Sequence, residues 1–477
     1  MDTLHRKRTK IVATIGPSSR EPAMLRSLLL AGVNVARLNF SHGTHADHGE
    51  LIARIRQIAG ELDLHVAILQ DLPGPKVRTG TFGPGVNSVK LAVGEPFTLT
   101  TEPVVGDRTI VGVSYPGLAE DVAAGNSIYL ADGSIALRVL GTTATRIETR
   151  VEVGGELRAT QGINYPDGTL RLEAVTDRDI EHLMFGIDQG VDWVAVSFVK
   201  TPEDVARVKR AIDERGASIP VIAKIEKHEA LDSIDEIIAI ADGIMVARGD
   251  LGIEIPLERV PLVQKDLIAR ANLASKPVIT ATQMLESMVS APRPTRAEAT
   301  DVANAILDGS DAVMLSAETA RGEFPLEAVR VMATIAAQVE LSYPHDAMFA
   351  RRIGPSDRTV ETSIAEAAAR ATDELAVQLI VTGTTTGNTA RHVASFRPRA
   401  RVLAMTPRID VARRLALVWG VESLVVQPYK YFETLIDVVE SRLIGEHLAS
   451  SGDRVAITSG MPVGEGGTNV MKIHTLP

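Results

Sequence analysis

Cysteine is absent from the chain, which removes disulfides, thiolate metal centres, iron–sulfur clusters and cysteine nucleophiles together. Aromatic residues make up only 4%, with two tryptophans, so any core must be built from aliphatic side chains. No run approaches the roughly 18 uninterrupted apolar residues of a membrane span, and no membrane partner is expected. There is no surplus of cations either: Lys+Arg is 50 against Asp+Glu 60, a formal charge of −10, which argues against non-specific nucleic-acid binding. What the chain does have is 477 residues with 45% apolar and 23% charged side chains, enough for about three globular domains. The short basic start (Arg6, Lys7, Arg8, Lys10) runs straight into an apolar strand pattern without a signal-peptide core. A solvated terminus on a cytoplasmic protein is expected.

Eight strand-length apolar runs alternate with helix-like stretches: Lys10 to Gly16, Val33 to Phe40, Val66 to Leu72, Trp193 to Val199, Pro220 to Ile225, Gly243 to Asp250, Pro277 to Thr282 and Ala312 to Thr319. Continuous apolar strands between amphipathic helices are the pattern of a parallel sheet covered on both faces, and eight units predict a closed (β/α)8 TIM barrel. Between the third and fourth runs, Val77 to Thr169 is rich in Gly, Thr and Val and shows short alternating runs, which predicts an inserted small β-barrel. The barrel therefore takes residues 1–75 and 171–343, the insert 76–170, and a C-terminal α/β domain 344–477, with Ala350 to Arg358 as a polar connector. Following a strand, the insert is placed over the C-terminal mouth as a lid.

In this architecture functional side chains gather where the strands end, and these ends are polar: Arg37, Asn39, Ser41 and His42; Gln70 and Asp71; Ser197; Lys224 and Glu226; Arg248 and Asp250; Thr280, Thr282 and Gln283; Ser316 and Glu318. Glu226 and Asp250 end adjacent strands, so their carboxylates can share one hard cation, Mg2+ or Mn2+. Lys224 stands two residues before Glu226 and points the same way, placing an ammonium beside that metal. Such a pair suits charge developing on a phosphoryl group or an enolate oxygen. Gly249 and Asp250 open a turn or short helix whose amides form an anion nest. Arg37 and Arg78 add guanidinium groups that suit phosphate. The combination describes a site for a phosphorylated carboxylate.

The strings TKIVATIGPSS (from Thr9), NVARLNFSHGTH (from Asn34), KIEKHEA (from Lys224), DGIMVARGDLGIEIP (from Asp242), ATQMLESM (from Ala281) and the run from Pro292 to Pro325 resemble the pyruvate kinase family, in order along the whole chain. The resemblance implies transfer of phosphate from phosphoenolpyruvate to ADP, giving pyruvate and ATP. It implies that Arg37 binds the substrate phosphate and that Lys224 stabilises the transition state. Glu226 and Asp250 become metal ligands, and Gly249, Asp250 and Thr282 hold the carboxylate, with Thr282 near the proton delivered to the enolate. Asn39, Phe40, Ser41, His42 and Arg78 fall where the family binds nucleotide. A homotetramer is implied as well.

Three departures and matches refine the resemblance. Members that need K+ carry a glutamate where this chain has Lys76, in Asp71-Leu72-Pro73-Gly74-Pro75-Lys76. An ammonium entering the region of Asn39, Ser41 and Asp71 would supply the same charge, and two cations 4 Å apart would repel by ~4 kcal/mol at an effective dielectric near 20. K+ independence is expected. Arg321 keeps a positive charge where relatives often have lysine. Thr384, Thr385, Thr386, Gly387, Asn388 and Thr389 resemble the family's effector-phosphate loop, while Ser459 to Asn469 lacks the Trp and Arg that grip a second phosphate. A monophosphate effector, a sugar phosphate or AMP, is therefore expected rather than fructose 1,6-bisphosphate. A metal-dependent barrel lyase working through an enolate, and a non-catalytic metabolite sensor, are the rival readings of the same residues.

Overall fold

The computed structural model describes residues 7–352, 358–462 and 467–477. Eight parallel strands close into a barrel: β1 (Lys10–Thr14), β2 (Val35–Asn39), β3 (Ala67–Leu72), β4 (Trp193–Val196), β5 (Val221–Ile225), β6 (Gly243–Ala247), β7 (Val278–Ala281) and β8 (Ala312–Leu315). All eight fall within the predicted runs. Alternation along each strand sorts the side chains: Trp193 and Ala195 of β4 fill the barrel, while Val194 and Val196 pack under the helices. Helix starts are set by local chemistry, as at Thr201, whose amide donates to Asp204 Oδ2 at 2.8 Å ahead of Pro202, and at Thr44, which forms a capping box with Asp47.

Most strands are shorter than their predicted runs, and in two of them the reason is a helix that begins earlier. β6 stops at Ala247 and a helix runs over Arg248–Glu254; β8 stops at Leu315 and a helix runs over Ala317–Ala320. The insert consists of a six-stranded sheet and a two-stranded ribbon around one apolar core. Ile110–Gly112, Gly155–Arg158 and Ile163–Asn164 are strands there that sequence alternation did not mark. Ile110–Gly112 and Ile163–Asn164, of three and two residues, are too short to show a period. The C-terminal unit is a five-stranded sheet, ordered Val421–Val425, Arg401–Thr406, Leu379–Gly383, Arg454–Gly460 and Thr468–Thr475, with only the last pair antiparallel. Of the expected connector, residues through Arg352 belong to the helix His345–Arg352, and 353–357 lie outside the described residues, as do 463–466 of the stretch Ser459 to Asn469.

Lys7 and Lys10 of the basic N-terminus are buried rather than solvated. Lys7 donates to Asn34 Oδ1 at 2.7 Å, Lys10 to the Val421 carbonyl at 2.7 Å, and Arg8 to the carbonyls of Pro398 and Arg399, while Arg6 lies outside the described residues. These bonds tie the barrel floor to the C-terminal domain, which also plugs that floor with Leu417 and joins Arg397 to Asp311 at 3.1 Å. Burial, then the neighbouring Lys10, pushes the Lys7 ammonium down to about 7. A lysine held below its unfolded value makes the native state bind fewer protons, so its cost is fully present below pH 7 and shrinks toward pH 10. Lys7→Met should therefore stabilise the protein by on the order of 3 kcal/mol at pH 6 and much less at pH 10. Thermal denaturation across that range checks it; a pH-independent difference would count against the buried charge.

Candidate active site at the barrel mouth

The parity that fills the barrel also builds the mouth. Val35, Leu69, Ala195 and Ile222 point inside, so the residues two further on, Arg37, Asp71, Ser197 and Lys224, form the next layer up on the same side. Their charges alternate in a buried chain. Arg37 Nε lies 2.6 Å from Asp71 Oδ2, Lys224 Nζ 3.2 Å from Asp71 Oδ1 and 2.8 Å from Glu226 Oε1. Arg37 further donates to Thr14 Oγ1 at 2.9 Å and Lys224 to Ser197 Oγ at 2.7 Å. Burial alone would lower the Lys224 pKa, but Asp71 and Glu226 outweigh it and hold the ammonium above its ordinary value. Burial likewise opposes the Asp71 carboxylate, and Lys224 and Arg37 overcome it. Lys224 is a permanent cation here.

Glu226 is aimed by the backbone: Phe198, in the left-handed region at φ 56°, donates its N–H to Glu226 Oε2 at 2.8 Å. Asp250 sits in the first turn of the helix after β6, and burial followed by the charge of Glu226 raises its carboxyl to about 6. Among the described residues no hydrogen-bond donor or ion-pair partner reaches Asp250. Arg37 and Lys224 contribute two positive charges against three from Asp71, Glu226 and Asp250, leaving one net negative charge in a poorly solvated cluster. A divalent cation with oxygen ligands at Glu226 and Asp250 fits both the donor set and that imbalance.

Thr282 and Gln283 both adopt left-handed backbone, at φ 70° and 53°, a conformation that costs a β-branched residue about 1–3 kcal/mol. Arg248 holds the turn, donating to the Thr282 carbonyl at 2.8 Å and pairing with Asp301 at 2.6 Å. The Gly249 N–H, expected in an anion nest, donates instead to Thr282 Oγ1 at 2.7 Å. A Cβ on Gly249 would sit 3.3 Å from that oxygen, so glycine permits the close approach.

Beside Arg37 opens a cavity of about 700 Å3 lined by Arg20, Asn39, His42, His48 and Arg321. Of the expected nucleotide residues, Asn39 and His42 face it. Phe40 does not: its ring is buried against His48, stacked at 4.0 Å, because it falls on the helix-facing side of the strand end. Arg78 lies in the insert, donating to the Thr160 carbonyl at 3.0 Å, and does not line this cavity. The expected monovalent-cation group is dispersed as well. Asp71 is engaged by Arg37 and Lys224, Asn39 Oδ1 accepts from the Ser41 amide at 3.1 Å, and Lys76 Nζ lies 3.6 Å from Asp132 of the insert. Lys76 turns away because its charge is drawn to the acidic side of the mouth, where it also counters the shift of Asp250.

The sequence reading had no role for the contacts that hold the insert down. Asn164 donates to Glu254 Oε1 at 3.1 Å, and Glu254 also pairs with Lys227 at 2.7 Å. Spacing carries no signal for these, since the two ends come from separate domains. Glu318, one of the polar strand ends, is structural: it accepts from Leu285 N at 3.1 Å and Ser316 N at 2.7 Å.

A closed β/α barrel whose mouth joins a fixed lysine, an arginine and the carboxylates of Glu226 and Asp250 beneath an inserted domain fits a phosphoryl-transfer enzyme of the TIM-barrel class. The chain matches the family model for the pyruvate kinase barrel domain over residues 6–329 and that for the pyruvate kinase alpha/beta domain over 362–474. It is 48% identical to pyruvate kinase 2 of Synechocystis, over 98% of this chain and 79% of that one, and 41% identical to the pyruvate kinase of Clostridium acetobutylicum, over 98% and 100%. The crystal structure of a pyruvate kinase from Cryptosporidium parvum superposes with a TM-score of 0.94 at 37% identity, covering 100% of this chain and 97% of that one. The chain belongs to the pyruvate kinase family. Among the described residues no helix is long and apolar enough to cross a membrane.

Proposed function

We propose that the mouth transfers the phosphoryl group of phosphoenolpyruvate to ADP in the cytoplasm, with Mg2+ or Mn2+ held by Glu226 and Asp250. The observation that carries this reading is the Arg37–Asp71–Lys224–Glu226 chain, which aims two fixed cations at one point beside the metal ligands. The P–O bond to the enol oxygen breaks as an ADP phosphate oxygen bonds to phosphorus, and the enolate left behind takes a proton at carbon. Arg37 binds the phosphate, and Lys224 offsets charge as the phosphoryl group moves. The metal, when bound, polarises the transferring group and the enolate oxygen. Thr282 lies where the carboxylate and the incoming proton meet, with its hydroxyl positioned by Gly249. Asn39, Ser41 and His42 serve the nucleotide from the barrel, and Arg78 reaches it only if the insert closes. Segmentation into barrel 1–75 and 171–343, insert 76–170 and C-terminal domain 344–477 is supported by an apolar core in each part, the barrel's being shared with Met348 and Trp419 of the C-terminal domain. A coupled assay with ADP omitted separates the kinase from a barrel lyase, which would still release product.

K+ independence belongs to the same reading. It is supported by Lys76 standing at the mouth 3.6 Å from Asp132, away from Asn39, Ser41 and Asp71, where its positive charge opposes the shift of Asp250. Turnover in buffer free of Na+ and K+ should match turnover with K+, and Lys76→Glu should create a K+ requirement of about tenfold or more in kcat/KM. Strong activation of the unaltered enzyme by K+ would sink the idea.

Regulation by a monophosphate is supported by a cavity of about 400 Å3 in the C-terminal domain, lined by Thr384, Thr385, Thr386, Asn388 and Thr389 with His392. Among the described residues neither Lys nor Arg lines it, so it offers hydroxyls and amides for one phosphate and no grip on a second. Gly387 does not face this cavity; its N–H donates to Thr384 Oγ1 at 2.8 Å. The homotetramer of this reading is checked by light scattering on the purified chain.

A further inference from the structure

A second polar cavity, of about 350 Å3, lies between the floor of the barrel and the C-terminal domain, far from the mouth. The barrel contributes Lys209, Ser218 and Asp242, and the C-terminal domain contributes Arg391, Arg408 and Arg414. Four cations face it against two carboxylates, Asp213 and Asp242, an excess of two positive charges in a chain whose overall charge is −10. Most of these charges have partners. Lys209 pairs with Asp242 at 2.9 Å, and Asp410 takes Arg408 at 2.7 Å and Arg414 at 3.4 Å. Arg391 has no carboxylate within 4 Å among the described residues, and its guanidinium bonds only Asn388 Oδ1. The Nε of Arg414 is buried without an acceptor. Burial pushes both guanidinium groups down, a cost that an anion between them would relieve.

We infer that this cavity binds a small phosphate-bearing metabolite, with the phosphate on Arg391 and Arg414 and the polar remainder against Ser218, Lys209 and Asp242. With Asp410 counted, one positive charge remains in excess, centred on Arg391, which suits an anion, and planar guanidinium forks bond two phosphate oxygens at once. The volume lies within the range of small-molecule sites. Thr386 and Asn388 line this cavity and the effector cavity on the other side of the same loop, so the two ligands bear on one element. This site is separate from the effector cavity of the proposed function and stands without it.

Both tryptophans report on the floor: Trp193 lines the cavity and donates to the Arg414 carbonyl at 3.2 Å, and Trp419 packs against Arg8 and Arg397 beside it. Full-length enzyme is titrated with ribose 5-phosphate and with inorganic phosphate while tryptophan fluorescence is followed. A saturable change is expected with the unaltered enzyme and with Thr385→Glu, which places a carboxylate in the effector cavity only. Arg391→Gln should weaken it about tenfold or more, and so should Ser218→Glu, an exposed position where a carboxylate repels the anion without disturbing the core. Three results would overturn the proposal: no saturable change, unchanged affinity in both cavity variants, or loss in Thr385→Glu alone. Binding of inorganic phosphate with ribose 5-phosphate excluded overturns the metabolite assignment.

Discussion

Lys224→Met should lower kcat by about 10³-fold while leaving the affinity for phosphoenolpyruvate within a few-fold. The methionine keeps most of the side-chain length and removes only the charge. Binding survives because Arg37 is anchored independently, by Asp71 Oδ2 and Thr14 Oγ1, and the two metal ligands come from other positions. Turnover falls because the ammonium, pinned by Ser197, Asp71 and Glu226, meets charge that appears only as the phosphoryl group leaves. Calorimetric binding of phosphoenolpyruvate with Mg2+, next to single-turnover kinetics, tests the split. Equal losses in binding and kcat/KM would mean that Lys224 acts in the ground state. A variant with full turnover would leave Lys224 without a catalytic role.

Much of this site was legible because a parallel barrel imposes two rules that survive translation into sequence. Strands buried on both faces read as unbroken apolar runs, and parity along each run decides which side chains reach the mouth. That is how Lys224 and Glu226 could be placed together before any coordinates, and why their 2.8 Å ion pair follows from a two-residue spacing. The resemblance, applied without that parity, put Phe40 at the nucleotide, although it stands one residue beyond Asn39, where parity turns it into the core. It also missed Arg78 and Lys76. Both lie past β3, where the chain has entered the insert and barrel parity no longer applies, so neighbours such as Thr160 and Asp132 decide their direction. The N-terminal lysines were misread for a related reason. Charge in a short segment suggests solvent, but Lys7 and Lys10 find acceptors on Asn34 and Val421, which are remote in sequence.

Asp71→Asn should damage both stability and turnover, although Asp71 touches no reacting atom in the proposed mechanism. Its carboxylate separates two buried cations, with one oxygen on Arg37 and the other on Lys224, and it is only 1% exposed. An amide can accept from one of them and must present its NH2 to the other. Removing one member of a buried ionic network costs about 3–5 kcal/mol, because the surviving charges are left facing each other. In the unaltered protein that contribution is present at all pH values above the ordinary aspartate value of 3.8 and is lost as pH falls through the lower folded value. As a positioning residue, Asp71 should also affect kinetics in a characteristic way: KM for phosphoenolpyruvate rising about tenfold as Arg37 loses its aim, and kcat falling about 100-fold as Lys224 does. Saturating substrate should recover part of the lost melting temperature, since the bound phosphate restores a negative charge between the two cations. A melting temperature that falls while both kinetic constants stay at wild-type values would leave Asp71 a purely structural residue.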